Sequence, residues 1–219
     1  MTVSYKIFFR SIALCLLAVP LASCNLAEKD PAILLNSAIR NHDTAKVRLL
    51  LEQGAPVNPA AKRVLTPLMF AVMQDNAEIT DLLLDKGAHT TARNRDQETA
   101  LHLAARWGKE AALECLLKRD VNTEWRDKIG WTPIMWASLR GKTSVVKKLL
   151  DAGANIHIRD SDRNTPLILA VWRGHGDTAT LLLSYGARLE DHNRFGLDAA
   201  AVAQKNGFPE LAKKLGALK

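Results

Sequence analysis

Six histidines, three cysteines and a scatter of serines are the side chains with which this 219-residue chain could do chemistry, and their spacing denies them most of it. His42, His89, His102, His157, His175 and His192 form no His-Glu-x-x-His pair, no paired spacing with cysteine and no carboxylate arrangement of metal type. Ser138, Ser144 and Ser184 lie in no Gly-x-Ser-x-Gly turn, and no glycines make a phosphate-cradling loop. The expectation is no catalytic residue, no metal ligand and no cofactor, hence no enzyme. Tryptophan and arginine remain, the types most enriched at binding hot spots because one buries a large area and the other donates from a planar fork. Arg93, Arg126 and Arg159 recur at an interval of 33 residues.

That interval governs most of the chain. A seven-residue phrase reads TPLMFAV from Thr66, TALHLAA from Thr99, TPIMWAS from Thr132 and TPLILAV from Thr165, with a degenerate DAAAVAQ from Asp198. Leucine pairs keep step at Leu50-Leu51, Leu83-Leu84, Leu116-Leu117, Leu149-Leu150 and Leu182-Leu183, and Gly-Ala follows at Gly54, Gly87, Gly153 and Gly186. A repeat of this period means stacked units, none of which buries its apolar face alone. Each threonine can N-cap the apolar run behind it, with Pro67, Pro133 and Pro166 at the favoured first helical position, and Asp198 keeps a capping oxygen. Gly108, Gly141, Gly174 and Gly207 punctuate a turn between two helices, and the Gly of each Gly-Ala ends the second helix in a left-handed conformation. Asp120-Val121 stands where one Gly-Ala is due; aspartate tolerates the left-handed conformation better than most residues, so a distorted or costlier helix end is expected there, in an unbroken stack.

The phrase, the period and the Gly-Ala ending resemble the ankyrin repeat over residues 30–219. The resemblance implies a mainly α solenoid of antiparallel helix pairs joined by β-hairpin fingers. Four full repeats, 61–93, 94–126, 127–159 and 160–192, would stand between a capping unit at 30–60 and another at 193–219. Asp30-Pro31 starts the first cap, whose outer face carries Arg40, Asp43, Lys46 and Arg48; Lys205, Lys213 and Lys214 solvate the last. The resemblance also assigns His102 to hydrogen bonding between repeats. It places partner contacts on the fingers and the exposed side of each first helix. Carried over, the finger slots hold Lys62, Arg63, Arg95, Asp96, Lys128, Ile129, Trp131, Ser161, Asp162, Arg194 and Phe195. The helix-end slots hold Met73-Gln74, Arg106-Trp107, Leu139-Arg140 and Trp172-Arg173, with Arg93, Arg126 and Arg159 just before the fingers. Trp107, Trp131, Trp172, Leu139 and Ile129 then become apolar anchors ringed by Arg93, Arg106, Arg126, Arg140, Arg159 and Arg173. Three bland alternatives stand beside this. Trp107 and Trp172 can stack on Arg106 and Arg173, the arginine ladder can pair with Asp127 and Asp160, and Trp125 can pack under its finger. Trp136 shares a slot with Phe70, Leu103 and Leu169 and is expected in the core.

Residues 1–23 are a different object. Lys6 and Arg10 precede an apolar stretch from Ile12 to Leu21, too short to span a bilayer and suited to a secretory signal. The segment closes on Leu21-Ala22-Ser23-Cys24, which resembles a bacterial lipobox; that implies lipid attachment at Cys24, the alternative being ordinary cleavage near Ala22. More than one acyl chain would anchor stably, and the linker 24–29 reaches only about 15–20 Å from the membrane. Asn25 after the cysteine favours the outer over the inner membrane, facing the periplasm. One thiol, Cys115, would remain, expected as a half-buried packing residue because stacked repeats need no disulfide. The formal net charge of +7 loses two units with Lys6 and Arg10.

The expected function is a lipid-anchored, monomeric interaction module that binds an exported protein with an acidic patch, protecting or scaffolding a periplasmic enzyme. Two alternatives remain open: immunity against a periplasm-acting toxin, and binding of an anionic polymer or lipid headgroup. Export argues against nucleic acid.

Overall fold

The computed structural model describes residues 30–59 and 65–218. The signal segment, Cys24, the linker 24–29 and the finger residues Lys62 and Arg63 lie outside the described residues. Twelve α-helices form six antiparallel pairs: α1 (Pro31–Arg40) with α2 (Thr44–Glu52), α3 (Pro67–Met73) with α4 (Ala77–Asp85), α5 (Ala100–Trp107) with α6 (Glu110–Leu117), α7 (Pro133–Leu139) with α8 (Thr143–Asp151), α9 (Pro166–Trp172) with α10 (Gly176–Ser184), and α11 (Ala199–Lys205) with α12 (Pro209–Gly216). No sheet forms among the described residues. The fold is a mainly α repeat solenoid.

Helix starts follow from side-chain oxygens. Asp30, Thr66, Thr165 and Asp198 accept from the backbone N–H of Ala32, Met69, Ile168 and Ala201, satisfying donors the helix itself leaves open. Thr132 departs from the expected cap: its hydroxyl is buried and has no hydrogen-bond partner. The N–H of Met135 donates instead to the Thr132 carbonyl at 3.1 Å, so the hydroxyl loses its donor.

The first leucine of every pair is buried and the second packs half-buried against the core, which runs unbroken along the stack. Neighbouring first helices (α1, α3, α5, α7, α9, α11) pack more extensively than neighbouring second helices. The stack therefore curves toward the first helices, and these line its inner side.

The inter-helix turn needs a left-handed residue in every unit. His42 and Asp75 supply it at φ 56° and 55° in the first two units, and Gly108, Gly141, Gly174 and Gly207 in the rest. At Gly174 glycine is required twice: φ is 76°, and a Cβ would run into the ring of Phe208 from the next unit. Gly207, at φ 84°, has open space around it. Gly174→Ala should therefore destabilise by about 2–4 kcal/mol, combining backbone strain with overpacking. Gly207→Ala should lose only about 1–2 kcal/mol. Urea denaturation of the two variants checks the difference.

The second helices α2, α4, α8 and α10 end as expected, with Gly54, Gly87, Gly153 and Gly186 at φ between 81° and 91°. Asp120 does not take the left-handed conformation. Helix α6 stops one residue early at Leu117, Arg119 N–H bonds to the Leu116 carbonyl, and Val121 N–H closes a tight turn onto the Arg119 carbonyl at 2.8 Å. The chain escapes the left-handed penalty by shortening the helix. The stack continues through it.

Candidate interaction face

Among the described residues, four fingers are each organised by one short polar side chain. Asn94, Asp127, Asp160 and Asn193, spaced by 33 residues, each accept through Oδ1 from the backbone N–H groups two and four residues on, at 2.8–3.1 Å. The backbone N–H of the same residue donates to the carbonyl four residues on, and the residue three on takes positive φ: Gln97, Gly130, Arg163 and Gly196. The fingers are thus tight five-residue turns rather than long ladders. They lean on one another, since Lys128 N–H donates to the Asp96 carbonyl and Arg194 N–H to that of Asp162, both at 2.8 Å. This asparagine or aspartate at constant register is the sequence signal for the finger geometry.

His102 joins two units beneath the fingers. Its Nδ1 accepts from the Thr99 backbone N–H at 3.2 Å, which requires Nε2 to carry the proton; Nε2 then donates to the Trp131 carbonyl at 3.1 Å. Burial holds its pKa below 6.5, against smaller opposing contributions from the Trp131 carbonyl, Asp127 and Glu98. Between the depressed folded pKa and 6.5 the unfolded chain binds more protons, so stability must fall as pH drops below 6.5 and level off below the folded pKa. Urea midpoints measured between neutral pH and about pH 5 should show this acid-side loss in wild type, and His102→Gln should flatten it.

The inner side carries a connected aromatic and cationic cluster. Trp131 stacks tilted on Trp136 at 4.8 Å between centroids, and the Arg106 guanidinium lies over the Trp136 ring at 4.2 Å. Arg106 is also 5.4 Å from the Trp107 ring and pairs with Glu98 at 2.7 Å; the Glu98 side chain is only 4 % exposed. Arg140 also approaches the Trp107 ring, at 5.7 Å. Trp136 is not the core residue expected: it is half-buried, and its Nε1 donates to Asp127 Oδ2 at 2.7 Å. An indole is larger than the leucines at its slot, and its N–H must find a partner, so the ring turns out toward the finger.

The predicted anchors fall into two groups. Trp107 is 48 % exposed and Trp172 44 %, and Ile129 is exposed at a finger tip. Trp131 and Leu139 are half-buried, the Leu139 carbonyl receiving His175 Nε2 at 3.1 Å. Among the described residues no arginine lies over the Trp172 ring, so the stacking expected with Arg173 is not formed. Among the six predicted arginines, Arg126, Arg140 and Arg173 are exposed. Arg126 donates to the carbonyls of Gly130 and Arg159, and Arg159 to that of His192 and to Asp191 at 2.5 Å. These two bind the unit ahead and do not pair with Asp127 or Asp160. Arg93 lies over the Trp125 ring at 4.2 Å, with Trp125 partly exposed beside its finger.

Charge divides the solenoid by side. The six inner helices contain Arg40, Arg106 and Lys205 and no acidic residue. The six outer helices contain six basic and nine acidic residues. Cys115 lies on α6, only 2 % exposed rather than half-buried, with burial and the Asp81 carboxylate pushing its pKa up to about 11. A thiol so protonated is a packing residue. No group of three or more His, Cys, Asp or Glu able to hold a metal occurs among the described residues.

A family model described as "Ankyrin repeats (3 copies)" matches residues 9–94, 34–127, 91–160 and 140–217. No match is found among curated proteins.

Proposed function

The chain belongs to the ankyrin-repeat family, whose members are generally non-enzymatic protein-interaction modules, and on that premise we propose that it docks an exported protein on its inner face. The observation that carries this is the coincidence of exposed Trp107, Trp172 and Ile129 with a row of inner helices free of acidic residues. Large apolar anchors beside exposed Arg140 and Arg173 suit a partner with an acidic patch, which the field would steer and the tryptophans would hold. The lipobox-like ending at Cys24 supports a lipid anchor, and Asn25 supports an outer-membrane address facing the periplasm. Tethered there, a single module would scaffold or protect a periplasmic enzyme.

Affinity capture from detergent-solubilised membranes, wild type beside a Trp107→Ala/Trp172→Ala variant, tests the docking face. One acidic exported protein retained by wild type and lost by the variant is the expected result. Equal retention by both rejects the face, and capture that vanishes log-linearly with salt but ignores the tryptophans rejects a protein partner in favour of a polyanion. Cys24→Ala should release the chain from the membrane fraction, and persistence there rejects the anchor.

A further inference from the structure

The last two fingers enclose a cleft of about 170 Å³ that the docking reading does not itself require. Its floor is Ile168, Leu197 and Val202, and aromatic rings stand at its rim: Trp172 from the end of α9 and Phe195, 63 % exposed, from the finger of 193–197. Phe195 is held outward by Arg194, whose guanidinium lies 4.7 Å from the ring while pairing with Asp162 at 2.8 Å. That pair neutralises the one acidic group lining the cleft. Lys205, at the end of α11, is exposed and has no ion pair among the described residues. Exposed Arg173, which follows Trp172 in the chain, adds a second positive charge nearby.

We infer that this cleft is a subsite for one apolar side chain of an acidic partner segment, inserted between Trp172 and Phe195 with a neighbouring carboxylate on Lys205. The inference rests on the docking reading and names the chemistry of its partner. An apolar floor between aromatic walls gains from excluding water, and a lone ammonium at the rim gains from a carboxylate and from nothing basic. The inner helices offer no acidic residue that would repel such a segment. The cleft opens to solvent and has room for a side chain of leucine or phenylalanine size, and the remaining contacts would come from the central tryptophans.

The test uses the chain from residue 25 onward, labelled for NMR, and three synthetic capped hexapeptides. One has acidic residues flanking Leu-Phe, one has lysines flanking Leu-Phe, and one has acidic residues flanking Ser-Ser. The acidic Leu-Phe peptide should shift the Trp172 indole and the Leu197 and Val202 methyl signals at millimolar concentration, several-fold more strongly than either control. Phe195→Ala should abolish the shifts, and Lys205→Glu should abolish the preference for acidic over basic flanks. No shifts at these signals, or equal shifts with all three peptides, overturns the inference. Neither variant touches Trp107, so membrane capture that survives both and still fails with Trp107→Ala/Trp172→Ala rejects the subsite and leaves the docking face standing.

Discussion

Arg106→Ala should destabilise the solenoid by about 3 kcal/mol, among the largest losses available to a single inner-face substitution. Glu98 is buried and Arg106 three-quarters so, and among the described residues the 2.7 Å bond between them supplies the one formal counter-charge to that carboxylate. Asn94 Nδ2 donates to the other oxygen at 2.8 Å, but a neutral amide cannot replace the guanidinium. Truncation also strips the Trp136 ring of the cation lying 4.2 Å above it, adding about 0.5–1 kcal/mol. Glu98→Gln in the same chain removes the stranded charge and should recover at least half of the deficit, so a double-mutant cycle by urea denaturation separates ion pair from packing. A deficit below about 1 kcal/mol would mean that water reaches Glu98 and that the pair is an ordinary surface bridge. Because Arg106 acts inside the fold, loss of binding in its variant says little about docking.

The second large effect is on binding. Trp107→Ala/Trp172→Ala should weaken partner affinity at least a hundredfold, roughly, since two truncated hot-spot tryptophans each lose about 2 kcal/mol or more. Both rings are nearly half exposed, and Trp172 makes no cation–ring contact among the described residues, so the same variant should unfold within about 1 kcal/mol of wild type. That contrast separates a recognition surface from a structural one. Titration of the purified partner against both proteins, beside their urea midpoints, gives the two numbers together.

What the sequence disclosed and what it withheld divide along a physical line. Thr66, Thr165, the leucine pairs and the Gly-Ala endings act within one unit through local backbone geometry, so their spacing alone announced helix pairs of fixed period. Arg126 and Arg159 bond one repeat ahead, to the carbonyls of Arg159 and His192, and such bonds depend on how units stack. Read from spacing, they looked like free hot-spot arginines. Trp136 was misplaced for a related reason: its slot is apolar in the other repeats, but only an indole there must satisfy an N–H, and Asp127 of the finger offers the acceptor. At Asp120 the distorted helix end is present as expected, but without a left-handed residue. The local rule was sound, yet the helix had another way out, ending at Leu117 and turning through Val121. The Asn94, Asp127, Asp160 and Asn193 series is legible in the register, because either residue supplies the same Oδ1 acceptor at 33-residue spacing.

The central claim is that the inner face, and not the outer one, meets the partner. A photoreactive amino acid placed at Ile129 on a finger tip, and in a separate chain at Lys147 on the outer helix α8, tests it directly in living cells. The account predicts one crosslinked partner from Ile129 and none from Lys147. Crosslinking from Lys147 with none from Ile129 would contradict it, because the acidic outer row would then be the binding surface.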